Sequence, residues 1–251
     1  MNNCQKFRFF LLMTIGELAA SAYAQVIVGG TLSSSEEYGA SLATQTINTG
    51  FGDNTSSSGT SSGGSGLDAV YTVATNGYLY LFIAGNLQAN GNNIDVFIAD
   101  GQAGGQQVLE IGGSPGDAGM NGSTFSTGFN PNLMFTFTNS ATVLSVDQVV
   151  LSGSSGTESH LGNVTLSGGV GNNQNLGGTG IAVGFNNVNT AGVNGNSGTA
   201  ANPTAANAVT NGLELGIPLS ALGNSTGSVQ VLVCINGSSF VYLSNQFIHG
   251  F

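Results

Sequence analysis

Residues 69–99 read AVYTVATNGYLYLFIAGNLQANGNNIDVFIA: three short apolar runs with Asn76-Gly77 and Asn90-Gly91 between them. Runs this short and this rich in Val, Ile, Phe and Tyr form strands, and Asn-Gly suits the two positive-φ positions of a tight turn. In the third run side chains alternate, so Ile94, Val96 and Ile98 share one face while Asp95 and Phe97 share the other. Asp100 falls at the strand end on the opposite parity, roughly 16 Å along the strand from Asp95. The two carboxylates are therefore not an acid/base couple, whose members must flank one reacting bond. Of the two, Asp100 is the better ligand candidate.

The same pattern recurs along the chain, predicting strands at 25–28, 40–47, 69–74, 78–85, 93–99, 133–138, 143–151, 164–166, 180–186, 212–217, 229–235 and 240–243. Helix has little room. The best candidate runs from Asn202-Pro203 to residue 210, with Asn as N-cap and Pro in the first turn, and a second turn follows Pro218 and closes at Gly223. Residues 53–66, DNTSSSGTSSGGSG, contain no large apolar side chain and are expected to form a mobile surface loop. Too little chain precedes that loop for a separate domain. Residues 25–251 are thus expected to form one all-β domain, a two-sheet antiparallel β-sandwich of jelly-roll or carbohydrate-binding-module type with one or two short helices.

Charge narrows the function classes. Lys6 and Arg8 are the only strong bases in the chain, and both lie in residues 1–24. That segment has the layout of a secretory signal: a basic start, the apolar run FFLLMTI, and Ser21, Ala22 and Ala24 as small residues before a cleavage point. The run is too short to span a bilayer, and no later segment is apolar for long enough to do so. The mature protein is expected to be secreted or associated with the cell surface. It then holds eleven carboxylates, the chain's twelve minus Glu17, and no Lys or Arg. Nucleic-acid binding, which depends on neutralising phosphates, is excluded as a function. Carboxylates that come close together have only water, backbone N–H groups, His160, His249, the amino terminus or a metal cation to meet them. Cys234 remains as a lone cysteine in an apolar strand, which reads as a small buried hydrophobe.

Two segments match G-x-S-x-G, at 59–63 and 223–227. Neither sits between a strand and a helix, as a nucleophile elbow must, and the chain is not expected to be an enzyme. Calcium is the cofactor that the side-chain chemistry favours, since Asp and Asn side chains, Gly-loop carbonyls and uncompensated negative charge suit a hard cation. Asp53, Asp68, Asp95, Asp100 and Asp117, all in or beside loops, are the candidate ligands. Tyr71, Tyr78, Tyr80 and Phe97 are the candidate ligand-binding aromatics, either as a stacking platform for sugar rings or as sheet core.

The stretches EYGA at 37–40, QTINTGFGD at 45–53, LDAVY at 67–71, LYLFIAGNL at 79–87, GLELGIPL at 212–219 and YLSNQF at 242–247 resemble those of a group of exported bacterial surface proteins. That group is similar in turn to the β-sandwiches of family-9 carbohydrate-binding modules and DOMON domains. The resemblance implies a non-enzymatic module that binds a neutral glycan or a cell-surface polymer. It does not carry over the family-9 binding residues, which are tryptophans, because this chain has none. A second expectation is a structural subunit of extracellular matrix or fibres that self-associates through edge strands, with QVIVGG at 25–30 adding to a neighbour's sheet.

Overall fold

A computed structural model describes residues 26–34, 38–51, 64–112, 117–194, 199–223 and 228–249. The strands in chain order are β1 (Ala43–Thr44), β2 (Gly66–Thr75), β3 (Tyr78–Asn86), β4 (Asn93–Ala99), β5 (Ile111–Gly112), β6 (Leu133–Asn139), β7 (Val143–Val150), β8 (Gly156–Thr165), β9 (Val170–Leu176), β10 (Ile181–Asn186), β11 (Gly212–Pro218), β12 (Gln230–Asn236) and β13 (Leu243–His249). They form two sheets. Sheet A has the order β1-β2-β3-β11-β10-β9 and sheet B the order β13-β12-β4-β6-β7-β8-β5. Every pairing is antiparallel except the short parallel contact of β5 with β8. The all-β sandwich read from the sequence is the fold, and no helix of the described residues is long and apolar enough to cross a membrane.

Alternation decides which side chains enter the inter-sheet core. Leu79, Leu81 and Ile83 of β3 point inward and meet Ile94, Val96 and Ile98 of β4, packed around Phe135, Phe137 and Phe185. The opposite faces of both strands are buried as well. Tyr71, Tyr80 and Phe82 lie under residues 26–32 and Tyr38 on the outside of sheet A, and Phe97 packs with Leu109, Ile111, Met120, Phe125 and Phe129 on the outside of sheet B. Burial on both faces is the reason β3 reads as an almost unbroken apolar run instead of alternating with polar residues.

Asn76 and Gly77, at φ 52° and 80°, make the expected hairpin turn between β2 and β3. Asn90-Gly91 does something different. It carries the chain from sheet A to sheet B, because β4 pairs with β6 and β12 and not with β3. The short helix α1 (Pro203–Asn207) is capped as the sequence predicts: the Asn202 side chain accepts from the N–H groups of Thr204 at 3.0 Å and Ala205 at 3.3 Å. The predicted turn after Pro218 is a single 3-10 turn, Leu219–Leu222, closed by Gly223 at φ 63°.

Three strand expectations need correction. Residues 25–28 were expected to form a strand, but 26–28 form none and instead lie across a sheet face. The strand expected over 40–47 shrinks to Ala43–Thr44, and the one expected over 240–243 runs instead from Leu243 to His249. β9 and most of β8 escape the pattern because their sequences, VGNNQNL and GTESHLGNVT, send few side chains into the core.

Candidate functional site

A groove of about 470 Å³ lies on the outer face of sheet B. Its floor is built from outward-pointing side chains of neighbouring strands, Phe97 of β4 with Leu232 and Cys234 of β12. One wall is the excursion between β4 and β6. There, Leu109 N–H donates to Ser123 O at 2.8 Å and Phe125 N–H to Gln107 O at 3.0 Å, which holds two chain segments side by side. The Gln107 amide adds a bond to Phe125 O. Phe125 stands edge-on to Phe97 at 5.1 Å between ring centroids and to Phe129 at 5.5 Å, forming a three-ring ladder up the wall. Leu243 and Phe247 of edge strand β13 form the other wall, and Ser123, Thr124, Ser126, Thr127 and Gln230 supply a hydroxyl and amide rim.

The groove has no ionisable lining group apart from Cys234. Burial, reinforced by the nearby Asp95 carboxylate, pushes that thiol well above its ordinary pKa. It is held protonated, the opposite of what a nucleophile needs. The surface can shelter and stack on a ligand, and its described residues offer no acid, base or nucleophile.

The candidate residues do not assemble as one site. Phe97 is in the groove, whereas Tyr71, Tyr78 and Tyr80 are on the other sheet, because the chain changes sheets between β3 and β4. Tyr71 and Tyr80 are buried, Tyr71 with its hydroxyl donating to Asn207 O at 3.2 Å. Tyr78 is half-buried and stacks on Tyr80 at 5.6 Å. Of the two alternatives for these aromatics, burial favours sheet core for Tyr71 and Tyr80, and Phe97 is grouped instead with Phe125 and Phe129. Sequence reasoning passed over the latter two because they lie in irregular chain with no period to follow.

The candidate metal ligands are likewise scattered. Asp53 lies outside the described residues. Asp68 sits at a bulge of β2, Asp95 in mid-β4 on the outer face of sheet B between Cys234 and Thr136, Asp100 just past β4, and Asp117 at the start of a 3-10 turn. Among the described residues no three His, Cys, Asp or Glu side chains come together as a metal-holding group. Where partners are visible they are donors, which an anion wants and a cation does not. Asp68 accepts from Val193 N–H at 2.7 Å and Asp100 from Gln102 N–H at 2.8 Å. Asp147 lies 2.8 Å from Nδ1 of the half-exposed His160 across β7 and β8. The side chain of His249 and residues 59–63 and 224–227 of the G-x-S-x-G segments lie outside the described residues.

The sequence reading missed Glu214. It is fully buried at the centre of sheet A, where its carboxylate accepts from the backbone N–H groups of Gly29 at 2.7 Å and Gly30 at 3.0 Å and from the Tyr38 hydroxyl at 2.7 Å. The available signal was a lone carboxylate in the apolar strand GLELGIP of a chain whose only Lys and Arg are Lys6 and Arg8.

Comparison with protein-family models, curated proteins and solved structures returns no match.

Proposed function

We propose that the chain is an exported, non-enzymatic β-sandwich module that binds a neutral glycan or surface polymer, and that the groove beside Phe97 is its binding surface. The observation that carries this reading is the chemistry of the lining: an aromatic ladder for stacking on the flat face of a sugar ring, a rim of hydroxyls and amides to bond its edge, and no exposed charge. An aromatic floor with a few polar groups at the margin is the usual composition of a small-ligand site. Calcium at any of the candidate aspartates has no comparable support.

The test is calorimetric titration and affinity electrophoresis against a panel of neutral polysaccharides and their oligosaccharides. Binding is expected to be insensitive to salt, since no charged pair contributes. Phe125→Ala is expected to weaken it about tenfold, by removal of one stacked ring worth roughly 0.5–1.5 kcal/mol beyond its buried area. Silence of the wild-type protein across the panel would sink the proposal.

A specific feature favours the second reading, a self-associating structural subunit. Val241, Tyr242, Leu243 and Phe247 are all exposed at or beside β13, a concentration of apolar surface at the edge strand of sheet B. If that edge is a contact, sedimentation should show association rising with concentration, and Val241→Ser with Tyr242→Ser should abolish it while the wall of the glycan groove stays intact. A wild-type chain that remains monomeric at every concentration removes this reading.

A further inference from the structure

Residues 26–32 form a strap across the outer face of sheet A. At Gly184 its backbone runs so close to the sheet that no side chain fits there, and at Gly216 the space is tight. A Cβ on Gly184 would lie 2.6 Å from the backbone nitrogens of Gly29 and Gly30, and one on Gly216 would lie 3.2 Å from Val28 Cγ2. Val26 and Val28 point down into the apolar layer of Tyr71, Tyr80 and Phe82, while Ile27 between them is 70% exposed. The buried Glu214 carboxylate takes the Gly29 and Gly30 N–H groups. Along its length the strap is tied by the Gln174 amide donating to Val28 O at 2.7 Å, Gly212 N–H to Gly30 O at 3.0 Å, and Leu32 N–H to Thr210 O at 2.7 Å. Glycine floor, apolar walls and a central anion aimed at a Gly-Gly backbone make up a peptide groove that happens to be filled.

We propose that this groove is a docking site for an extended Val-x-Val-Gly-Gly segment, and that the strap of a second copy of the chain is a competent occupant, so that copies link by exchanging straps. Each of these bonds runs from the strap to sheet A, or in one case to Thr210 just before β11, and none depends on which chain supplies the strap. The strap itself, VIVGGTL, is uncharged in an acidic protein, so it is the part of one copy that another can accept without bringing carboxylates together. Nine residues, 33–41, link it to the rest of the molecule, a reach of at most about 30 Å once Tyr38 is released from Glu214 and Phe82. Copies must therefore touch, or nearly so, to exchange. The contact is with a sheet face, so it is distinct both from the exposed edge at β13 and from the groove on sheet B.

Two variants of the chain beginning at Gln25 test this. The acceptor lacks residues 25–31, leaving its groove open. The donor carries Gly184→Val, whose side chain occupies the space of its own strap. Each alone should be monomeric by light scattering, and the mixture should give a one-to-one heterodimer. A synthetic peptide of residues 25–32 should dissolve that dimer and raise the acceptor's melting temperature, and Glu214→Ala in the acceptor should prevent both effects. A folded acceptor that ignores donor and peptide overturns the proposal. Should the acceptor fail to fold, the wild-type chain is incubated with the fluorescent peptide at about 1 mM, the order of effective concentration of a tethered segment. Capture by the wild type and none by Gly184→Val supports the groove, and no capture by the wild type overturns it.

Discussion

Replacing Glu214 by alanine is expected to destabilise the fold by about 3 kcal/mol, and replacing it by glutamine by about 1 kcal/mol. The alanine variant leaves two backbone N–H groups and the Tyr38 hydroxyl without their acceptor, and at least the Gly30 and Tyr38 bonds are buried. Each such orphan costs about 1–3 kcal/mol, and no Lys or Arg is at hand to rearrange into the space. Glutamine keeps a carbonyl oxygen for the glycine N–H groups and can donate to the Tyr38 oxygen, so it forfeits mainly the charge assistance of those bonds. For a domain of this size the alanine variant should melt roughly 6–12 °C lower. Urea unfolding of the three proteins checks the ordering, and an alanine variant within 0.5 kcal/mol of wild type, a change typical of an ordinary surface site, would show that Glu214 is not the anchor. The same variant should speed hydrogen exchange at residues 26–32 before it affects β4, because the strap is the element it releases.

How far the sequence foretold this molecule depends on which residues are asked. β4 is found at the predicted 93–99 because Ile94, Val96 and Ile98 alternate with side chains facing the other way, and the pleat leaves no second register for them. β9 was invisible because an edge strand needs only its backbone to pair: VGNNQNL places Leu176 alone in the main core. The opposite error was made at VIVGG, whose composition is that of a strand and whose fate was set by Gly184 and Gly216, about 150–190 residues away, which leave room for a backbone to lie flat. No local pattern encodes that. Asparagine amides satisfy backbone carbonyls at one end of the sandwich, where Asn139 and Asn187 both donate to Leu87 O, at 2.6 and 2.8 Å, and Asn86 donates to Asn189 O at 2.9 Å.

Electrostatics was more legible than site geometry. A chain whose only Lys and Arg are Lys6 and Arg8 has to meet its buried carboxylates with dipoles, and Glu214, Asp68 and Asp100 are each met by backbone N–H groups. Which carboxylates are buried was not legible. Asp68 was read as a loop ligand and is instead enclosed at a strand bulge, where the chain must insert one extra residue between Leu67 and Ala69 and the side chain turns toward Val193 and Asn189.

That enclosure gives Asp68 a large expected pH effect. Burial raises its pKa from the ordinary 3.8 to about 7, and the Val193 N–H bond offsets only part of the rise. Between those two values the folded chain holds a proton that the unfolded chain has released, so the Asp68 contribution to stability is complete below about pH 4 and is lost progressively as pH rises through 7. At about 1.4 kcal/mol per unit the full loss is roughly 4 kcal/mol. This is opposite in sign to the acid lability of a carboxylate stabilised by an ion pair. Asp68→Asn removes the titration while keeping an oxygen for Val193 N–H. Urea unfolding at intervals from pH 4 to 8.5 should therefore show the wild type losing stability relative to Asp68→Asn across that window, with the gap moving in the variant's favour and levelling off above pH 7.5. Parallel curves for the two proteins would mean that Asp68 ionises freely in the folded state, and that its burial is relieved by water or by a bound cation. Repeating the scan with a chelator separates those two causes: only a bound cation makes the curves diverge once it is removed.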